Sequence, residues 1–196
     1  TAVDLGTGLG FHAVVLAEAG YTVTAIDSDP GLLTTVRDRA KGLPVRVAEA
    51  DLTAFRQHAP GSHDAVLCMG DTLTHLSDRA AVEALARHVA GALAPEGVFC
   101  ATFRDYTTAL EGDARFIPVR RDENRTLTAF LEYGPDMVTV HDLLHERGED
   151  GWVLRVSSYP KLRLDPAWVA TLFREYGLRV ERGSEPGMVR LTARAV

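Results

Sequence analysis

The sequence predicts an α/β protein: a doubly wound, Rossmann-like, seven-stranded, mostly parallel sheet with an antiparallel β insertion before the last helix. Three observations carry this prediction. Short apolar runs alternate with helical patterns through the first hundred residues, and that alternation is typical of right-handed crossovers and a parallel sheet. After Asp105 the pattern changes to extended runs separated by turn residues, which indicates an antiparallel meander. A helix and two strands then close the chain.

Each element of the first half has a local signal. Five apolar runs predict strands, and they read "AVDLG", "TVTAID", "PVRVAEA", "DAVLCMG" and "GVFCATF". Helical periodicity starts at Phe11 and stops before Gly20, a residue suited to a helix C-terminus. Pro30 begins a second helix behind Ser28 or Asp29 as N-cap. A long amphipathic helix is predicted over 77–93, closed by "APEG".

The second half of the chain predicts a meander and then a return to the first pattern. The extended runs are "RFIPVRR", "RTLTAFLEY", "DMVTVHDLLHE" and "GWVLRVSSYPKLRL". A helix is predicted from an Asp165 N-cap to Tyr176, ended by Gly177. Two final strands flank "GSEPG", which is short enough for a hairpin. We therefore expect residues 1–104 and 160–196 to form the Rossmann-like domain and residues 105–159 to form an insertion that walls a substrate pocket.

Composition and charge narrow the range of functions that this protein could have. The 196 residues carry a net charge of −6, which argues against nucleic acid because phosphate binding uses a concentrated basic face. Cys68 and Cys100 each lie in an apolar run, and buried thiols indicate a cytoplasmic protein. No apolar run reaches the roughly 18 residues of a membrane span. His141 and His145 would stand roughly 13 Å apart on a strand, so we expect no metal site.

A glycine-rich turn follows the first predicted strand. Gly6, Gly8 and Gly10 are spaced G-x-G-x-G, and such a turn lets a ligand approach the backbone. Asp27 ends the second strand, where a carboxylate can accept hydrogen bonds from ribose hydroxyls. A dinucleotide fingerprint would place its third glycine at Phe11, so the loop favours a cofactor without a pyrophosphate. Taken singly, such features also occur in ordinary turns and helix caps.

Together these residues resemble a known family. "VDLGTGLG" resembles motif I of the class I S-adenosylmethionine (SAM)-dependent methyltransferases, and "AEADL" resembles that family's motif after the third strand. The resemblance implies that Asp4 helps to hold the ammonium group, that Asp27 binds the ribose, and that Asp51 accepts from the adenine amino group. It implies SAM as cofactor and S-adenosylhomocysteine (SAH) as product. The expected cofactor contacts are Asp4, Gly6, Thr7, Gly8, Asp27, Ser28, Asp51, Leu52 and Met69.

Three further segments resemble the glycine N-methyltransferase-like group within that family. They are "MGDTLTHL", "FRDY" and "VLRVSSYP". The N/D-P-P-Y/F motif of nucleobase amino methyltransferases and the Pro-Cys of cytosine-C5 enzymes are both missing after the fourth strand. The resemblance therefore implies a small-molecule acceptor. The group's substrate-binding asparagine is replaced here by Asp71, which would repel an acidic substrate and favour an amine or hydroxyl.

The expected catalytic residues follow from these segments. Asp71 and His75 are expected to line the acceptor side and accept a proton, while Arg104 and Tyr106 orient the acceptor. Each has a structural alternative. His75 could cap the helix predicted from Ser77, Arg104 could pair with Asp105 or Asp71, and Tyr106 could simply pack in the core. Tyr159, in the third segment, has the same alternative.

Other functions remain open on the sequence alone. The leading hypothesis is methyl transfer to an N or O nucleophile of a small molecule. The alternatives are a protein or RNA methyltransferase, a SAM-binding protein without catalysis, and a dinucleotide oxidoreductase. A homo-oligomer is also possible on this evidence. The family commonly carries helices before the first strand, so we expect residues preceding Thr1 to contribute to the site.

Overall fold

The computed structural model describes residues 1–196, and the chain divides into two compact units. The first unit comprises Thr1–Arg104 and Pro166–Val196, and the second comprises Asp105–Asp165. The predicted second boundary, after residue 159, falls inside a strand that runs to Leu162.

The first unit contains a seven-stranded sheet in the order β10-β11-β5-β4-β1-β2-β3. Neighbours among β1 to β5 pair in parallel, whereas β11 lies antiparallel to both β10 and β5. The predicted seven-stranded, mostly parallel sheet is thus confirmed. The strands are β1 (Ala2–Leu5), β2 (Val23–Asp27), β3 (Val45–Glu49), β4 (His63–Cys68), β5 (Leu93–Phe103), β10 (Arg179–Glu185) and β11 (Met188–Arg194).

Five helices accompany this sheet. They are α1 (Phe11–Glu18), α2 (Pro30–Arg39), α3 (Phe55–His58), α4 (Arg79–Ala90) and α5 (Pro166–Glu175). Small residues let α1 approach the sheet closely, since Ala13 and Ala17 pack in one buried cluster with Val23 and Ala25. The longest helix, α4, has 12 residues, and none of the helices has the length and apolar character of a membrane-spanning segment.

Two predictions around α4 need correction. This helix begins at Arg79 rather than Ser77 because the Asp78 carboxylate accepts from the Ala81 N–H at 2.8 Å and caps it. His75 is therefore not its cap. "APEG" does not close the helix but belongs to β5. Glu96 has a φ of 62°, and the pairing of β4 with β5 shifts register there, so this end of β5 is bulged.

The second unit contains the antiparallel meander. Its four strands pair in the order β6-β7-β8-β9, and each adjacent pair is antiparallel. They are β6 (Phe116–Arg121), β7 (Arg125–Tyr133), β8 (Met137–Gly148) and β9 (Gly151–Leu162). One face of the sheet buries an apolar cluster of Tyr106, Ala129, Leu131, Val138 and Val140. His141 and His145 both lie on β8, as extended residues, and no metal-binding cluster of His, Cys, Asp or Glu occurs in the structure.

Candidate functional site

A cleft of about 720 Å³ opens in the first unit where the strands β1 to β4 end. Its walls come from the turn after β1, the ends of β2 and β3, and the segment that follows β4. In the sheet β1 lies between β2 and β4, so the chain reverses its strand order there. Open α/β sheets bind ligands at such a switch point. The volume also falls in the usual range of small-molecule sites, about 300–1,000 Å³.

The three glycines of the first turn serve different purposes. All have positive φ: 66° at Gly6, 54° at Gly8 and 78° at Gly10. A Cβ on Gly6 would overlap the side chain of Thr72, and a Cβ on Gly10 would lie 3.0 Å from Val36. A Cβ on Gly8 would meet nothing within 4 Å. Gly6 and Gly10 thus allow internal packing, whereas Gly8 leaves open space in the cleft.

Two carboxylates shape the cleft. Asp27 accepts from the Gly8 N–H at 2.9 Å through Oδ2 and from the Asp29 N–H at 3.1 Å through Oδ1. Asp51 accepts from the backbone N–H of Thr53 at 2.7 Å and also from its hydroxyl. Each carboxylate oxygen can accept more than one hydrogen bond. Both groups therefore hold their own loops and still offer acceptor positions to a ligand.

The lining of the cleft contains no lysine or arginine. Its charged groups are Asp27 and Asp51, and its other titratable side chains are the imidazoles of His12 and His75. Apolar walls come from residues such as Leu32, Leu52 and Met69. An acidic cleft with low-dielectric walls attracts a cation and disfavours a phosphorylated ligand.

The cleft brings together most of the expected cofactor contacts. The eight that line it are Gly6, Thr7, Gly8, Asp27, Ser28, Asp51, Leu52 and Met69. Asp4 does not line it, because its side chain is buried in β1 and accepts from the Thr7 hydroxyl at 2.6 Å. Burial raises the pKa of Asp4 above its usual value, although the Thr7 hydrogen bond opposes this. Asp4 thus supports the glycine turn through its hydrogen bond with Thr7.

Asp71 lies outside the lining of this cleft, and its role on the acceptor side stays a prediction. Asp71 is 2% exposed. Its Oδ1 accepts from the Arg104 N–H at 2.8 Å and from the Thr74 hydroxyl at 3.0 Å. Its φ of 75° lies in the left-handed region, which Asp and Asn adopt more readily than other residues with a side chain. Asp71 therefore ties the segment after β4 to the end of β5.

The other three expected catalytic residues lie in separate places. His75 lines the cleft, at the end of a 3₁₀ helix formed by Thr72–His75. Arg104 is not in the lining, and its Nη1 donates to the Gly187 carbonyl at 3.4 Å in the β10–β11 turn. Tyr106 belongs to the apolar cluster of the second unit. The role of Arg104 and Tyr106 in orienting an acceptor stays a prediction.

Neither cysteine is activated. Cys68 is fully buried, and burial together with nearby Asp4 and Asp71 raises its pKa to about 12. Burial also raises the pKa of Cys100. Since the thiolate is the nucleophilic form of cysteine, both side chains are packing groups, as their apolar sequence context suggested.

Sequence reasoning did not identify several residues of the cleft. On the sequence alone Phe11 is informative only as a misfit with a dinucleotide fingerprint, yet it lines the cleft. The Arg39 guanidinium lies 4.1 Å from the centroid of its ring. His12 also lines the cleft, next to Phe11 at the start of α1. Thr72 was missed because its contact with Gly6 joins distant parts of the chain. Phe11 and His12 directly follow the glycine turn, and this position in the sequence could have identified them as residues of the cleft.

Comparisons with known proteins agree with this geometry. A family described as a methyltransferase domain matches residues 2–97. The chain is 30% identical over 183 residues to a glycine/sarcosine N-methyltransferase of Parasynechococcus marenigrum (strain WH8102), covering 90% of this chain and 62% of the relative. The chain thus spans about three fifths of that relative's length.

Solved structures share the fold. The CcbJ methyltransferase from Streptomyces caelestis has a TM-score of 0.85 at 19% identity, covering 100% of this chain and 83% of the other. SAM-bound CalS10, an amino pentose methyltransferase from Micromonospora echinaspora, has a TM-score of 0.80 at 20% identity with the same coverage. The glycine turn, the acidic cleft, the sheet order and these matches agree with one another. The methyltransferase family match over residues 2–97 and these likenesses together support a class I SAM-dependent methyltransferase.

Proposed function

We propose that this protein transfers the methyl group of SAM to a nitrogen atom of a small-molecule amine. The observation that carries the proposal is the cleft beside the glycine turn, which is acidic and has no lysine or arginine in its lining. Such a site attracts a sulfonium cation, whereas it offers no cationic side chain to a pyrophosphate. Phe11 at the position of the third fingerprint glycine argues against the dinucleotide alternative.

The residues of the cleft fit this cofactor. The open space beside Gly8 admits a ligand against the backbone, and Asp27, at the end of β2, can accept from ribose hydroxyls. Asp51 lines the same cleft and can accept from an adenine amino group. When bound, SAM would supply a methyl group already activated by the positive sulfur. The chain's own residues then have to hold it, exclude water and position the acceptor.

A nitrogen acceptor is supported by the relatives. The curated relative named above is a glycine/sarcosine N-methyltransferase, and one structural neighbour is an amino pentose methyltransferase. Both names describe small molecules that carry an amino group. An amine that approaches the acidic cleft is attracted as its ammonium form and must lose a proton before it can attack. The proposal therefore requires a proton acceptor in the cleft.

His75 is the residue best placed to take that proton. It lines the cleft on the segment after β4, and neutral imidazole is a common general base. In the transfer, the nitrogen lone pair forms the new bond to the methyl carbon while the carbon–sulfur bond breaks. The bonding electrons stay on sulfur, the product is neutral SAH, and the amine proton passes to His75.

Asp71 has a supporting role in this scheme. Its carboxylate binds the Arg104 N–H and the Thr74 hydroxyl, so it positions the Thr72–His75 segment. It is therefore a positioning residue and not the proton acceptor. Replacing the carboxylate by the isosteric amide would retain an acceptor oxygen for both bonds.

The first experiment is a calorimetric titration with SAH, with NAD as the control ligand. We expect micromolar binding of SAH and no binding of NAD. Methyl transfer from SAM is then measured against matched pairs of small molecules that differ only in carrying an amino or a hydroxyl group. Turnover of the amines alone supports the proposal. Binding of SAH without turnover of any amine would favour a non-catalytic SAM-binding protein, and binding of NAD would contradict the cofactor assignment.

A further inference from the structure

Strand β9 forms one edge of the four-stranded sheet and exposes a row of large apolar side chains. Trp152 is 54% exposed, Leu154 51% and Val156 56%. The alternation of a strand places these three on the same face of the sheet. An exposed, long, apolar edge strand is a template for pairing with another chain.

The backbone of this edge is also free. Arg163 N–H donates to the Asp136 carbonyl at 3.0 Å, and hydrogen-bonded pairs alternate with non-hydrogen-bonded pairs along an antiparallel ladder. Counting back from Arg163 along the β8–β9 register puts the odd-numbered residues of β9 in bonds to β8. The N–H and C=O groups of Trp152, Leu154, Val156 and Ser158 therefore point outward. Pro160, which has no N–H, falls in the same outward series.

The two edges of this sheet differ in their protection against pairing. Edge strand β6 carries Pro118, Arg120 and Arg121, and its register shifts between Pro118 and Arg120. Such features discourage edge-to-edge contact. Residues 151–158 of β9 contain no proline, lysine or bulge. Their one charge, Arg155, pairs with Glu146 at 3.0 Å, so two copies of this edge would meet with little repulsion.

We propose that a second copy of this chain pairs with β9, antiparallel and about a two-fold axis, to join two four-stranded sheets into one of eight strands. An extended strand can replace water on all the outward N–H and C=O groups at once, and pairing of β9 with β9 closes the assembly at a dimer. Pairing of β9 with the protected edge β6 would instead leave further edges open.

The side chains select the register of this pairing. With Leu154 opposite Leu154 of the second copy, Trp152 lies opposite Val156, and the apolar row is self-complementary. Arg155 then lies opposite Val153 and not opposite its own copy. The proposal does not depend on the methyl transfer proposed above, because these residues lie outside the cleft.

The test is the oligomeric state in solution, measured by sedimentation velocity over a range of protein concentrations. We expect a dimer for the wild type. Val156→Pro removes an outward N–H without removing a bond to β8, and it should raise the dimer dissociation constant at least ~30-fold. The matched control is Val119→Lys, on the exposed β6 position, which should leave the dimer intact.

A charge-swap experiment tests the register and separates it from loss of folding. Leu154→Lys and Leu154→Glu should each be monomeric alone, because like charges would face each other, and their equimolar mixture should form a heterodimer. A wild type that stays monomeric at every concentration would overturn the proposal. A dimer that survives both Val156→Pro and Leu154→Lys would overturn it as well, since the interface would then lie elsewhere.

Discussion

The backbone N–H of Gly8 donates to Asp27 Oδ2 at 2.9 Å, which joins the middle of the glycine turn to the end of the neighbouring strand. The two residues are 19 positions apart in the chain. Parallel pairing of β1 with β2 brings them together, because Leu5 is the register partner of Ile26. One carboxylate therefore shapes the turn and faces the cleft at the same time.

Replacing Asp27 should weaken cofactor binding through both of these contributions. We expect Asp27→Ala to lower the affinity for SAH by about 10- to 100-fold, the usual effect of losing hydrogen bonds to a charged group. Asp27→Asn keeps one acceptor oxygen and should lose less. Calorimetry with SAH measures both, with Asp29→Asn as control because Asp29 caps α2 and does not line the cleft. Equal affinity of Asp27→Ala and the wild type would contradict the assignment.

The glycines of the turn should respond differently to the same substitution. Gly6→Ala forces a methyl group against Thr72, so we expect it to destabilise the protein by about 1–3 kcal/mol in addition to its left-handed backbone cost. Gly8→Ala has no such overlap, so only the backbone cost of roughly 1–2 kcal/mol applies. It should, however, lower SAH affinity at least ~10-fold by filling cofactor space. Urea unfolding and SAH titration compare the two. A larger loss of stability for Gly8→Ala would contradict this account.

Asp4 should make stability depend on pH. Burial raises its folded-state pKa above the ordinary value of 3.8, so the folded state binds this proton more tightly than the unfolded state does. Protonated Asp4 therefore stabilises the folded state. This stabilisation is fully present below the pKa that Asp4 has in the unfolded chain, and it is lost as the pH rises through its pKa in the folded protein. We expect Asp4→Asn to be more stable than the wild type at pH 8, with a difference that shrinks towards pH 4. Urea unfolding at several pH values measures this.

Asp122 provides a control of opposite sign. Hydrogen bonds from the Asn124 and Arg125 backbone N–H groups help to lower its pKa, so its contribution is present above the unfolded pKa and is lost as pH falls through the folded pKa. At pH 8, Asp122→Asn should therefore be no more stable than the wild type. A parallel response of the two variants would show that Asp4 is not the cause.

His75 should affect turnover and not cofactor binding. As the proposed proton acceptor it contributes about 10²- to 10⁴-fold to the rate, so His75→Gln should lower turnover by that factor while SAH affinity stays within about threefold of the wild type. His58→Gln, which replaces a histidine outside the cleft, is the matched control. Unchanged turnover of His75→Gln would exclude the imidazole as the base.

Asp71 should tolerate the isosteric amide. Asp71→Asn keeps an acceptor oxygen for Arg104 and Thr74, so we expect turnover close to that of the wild type. Asp71→Ala leaves both donors without that acceptor and should cost about 1–3 kcal/mol of stability. Thermal unfolding and methyl-transfer assays on the pair distinguish positioning from chemistry. Loss of turnover in a stable Asp71→Asn variant would mean that the carboxylate itself accepts the proton.

Local sequence signals predicted the alternation of strands and helices, the glycine turn, the two carboxylates that line the cleft (Asp27 and Asp51), and the antiparallel meander after Asp105. These features depend on local backbone preferences and on hydrophobic periodicity, which are encoded in neighbouring residues. Helix ends were less well determined. The start of α4 depends on which of two adjacent polar residues, Ser77 or Asp78, caps it, and the structure uses Asp78.

Contacts between residues far apart in the chain became visible in the folded structure alone. It turns Asp71 towards the backbone of Arg104, 33 positions away, and it places Thr72 against Gly6. It also inserts β11 between β10 and β5. None of these contacts can be predicted from the spacing of residues in the sequence, because each joins two elements that are far apart in the chain. Residue spacing places side chains along one element, whereas packing between elements decides which of them face the ligand.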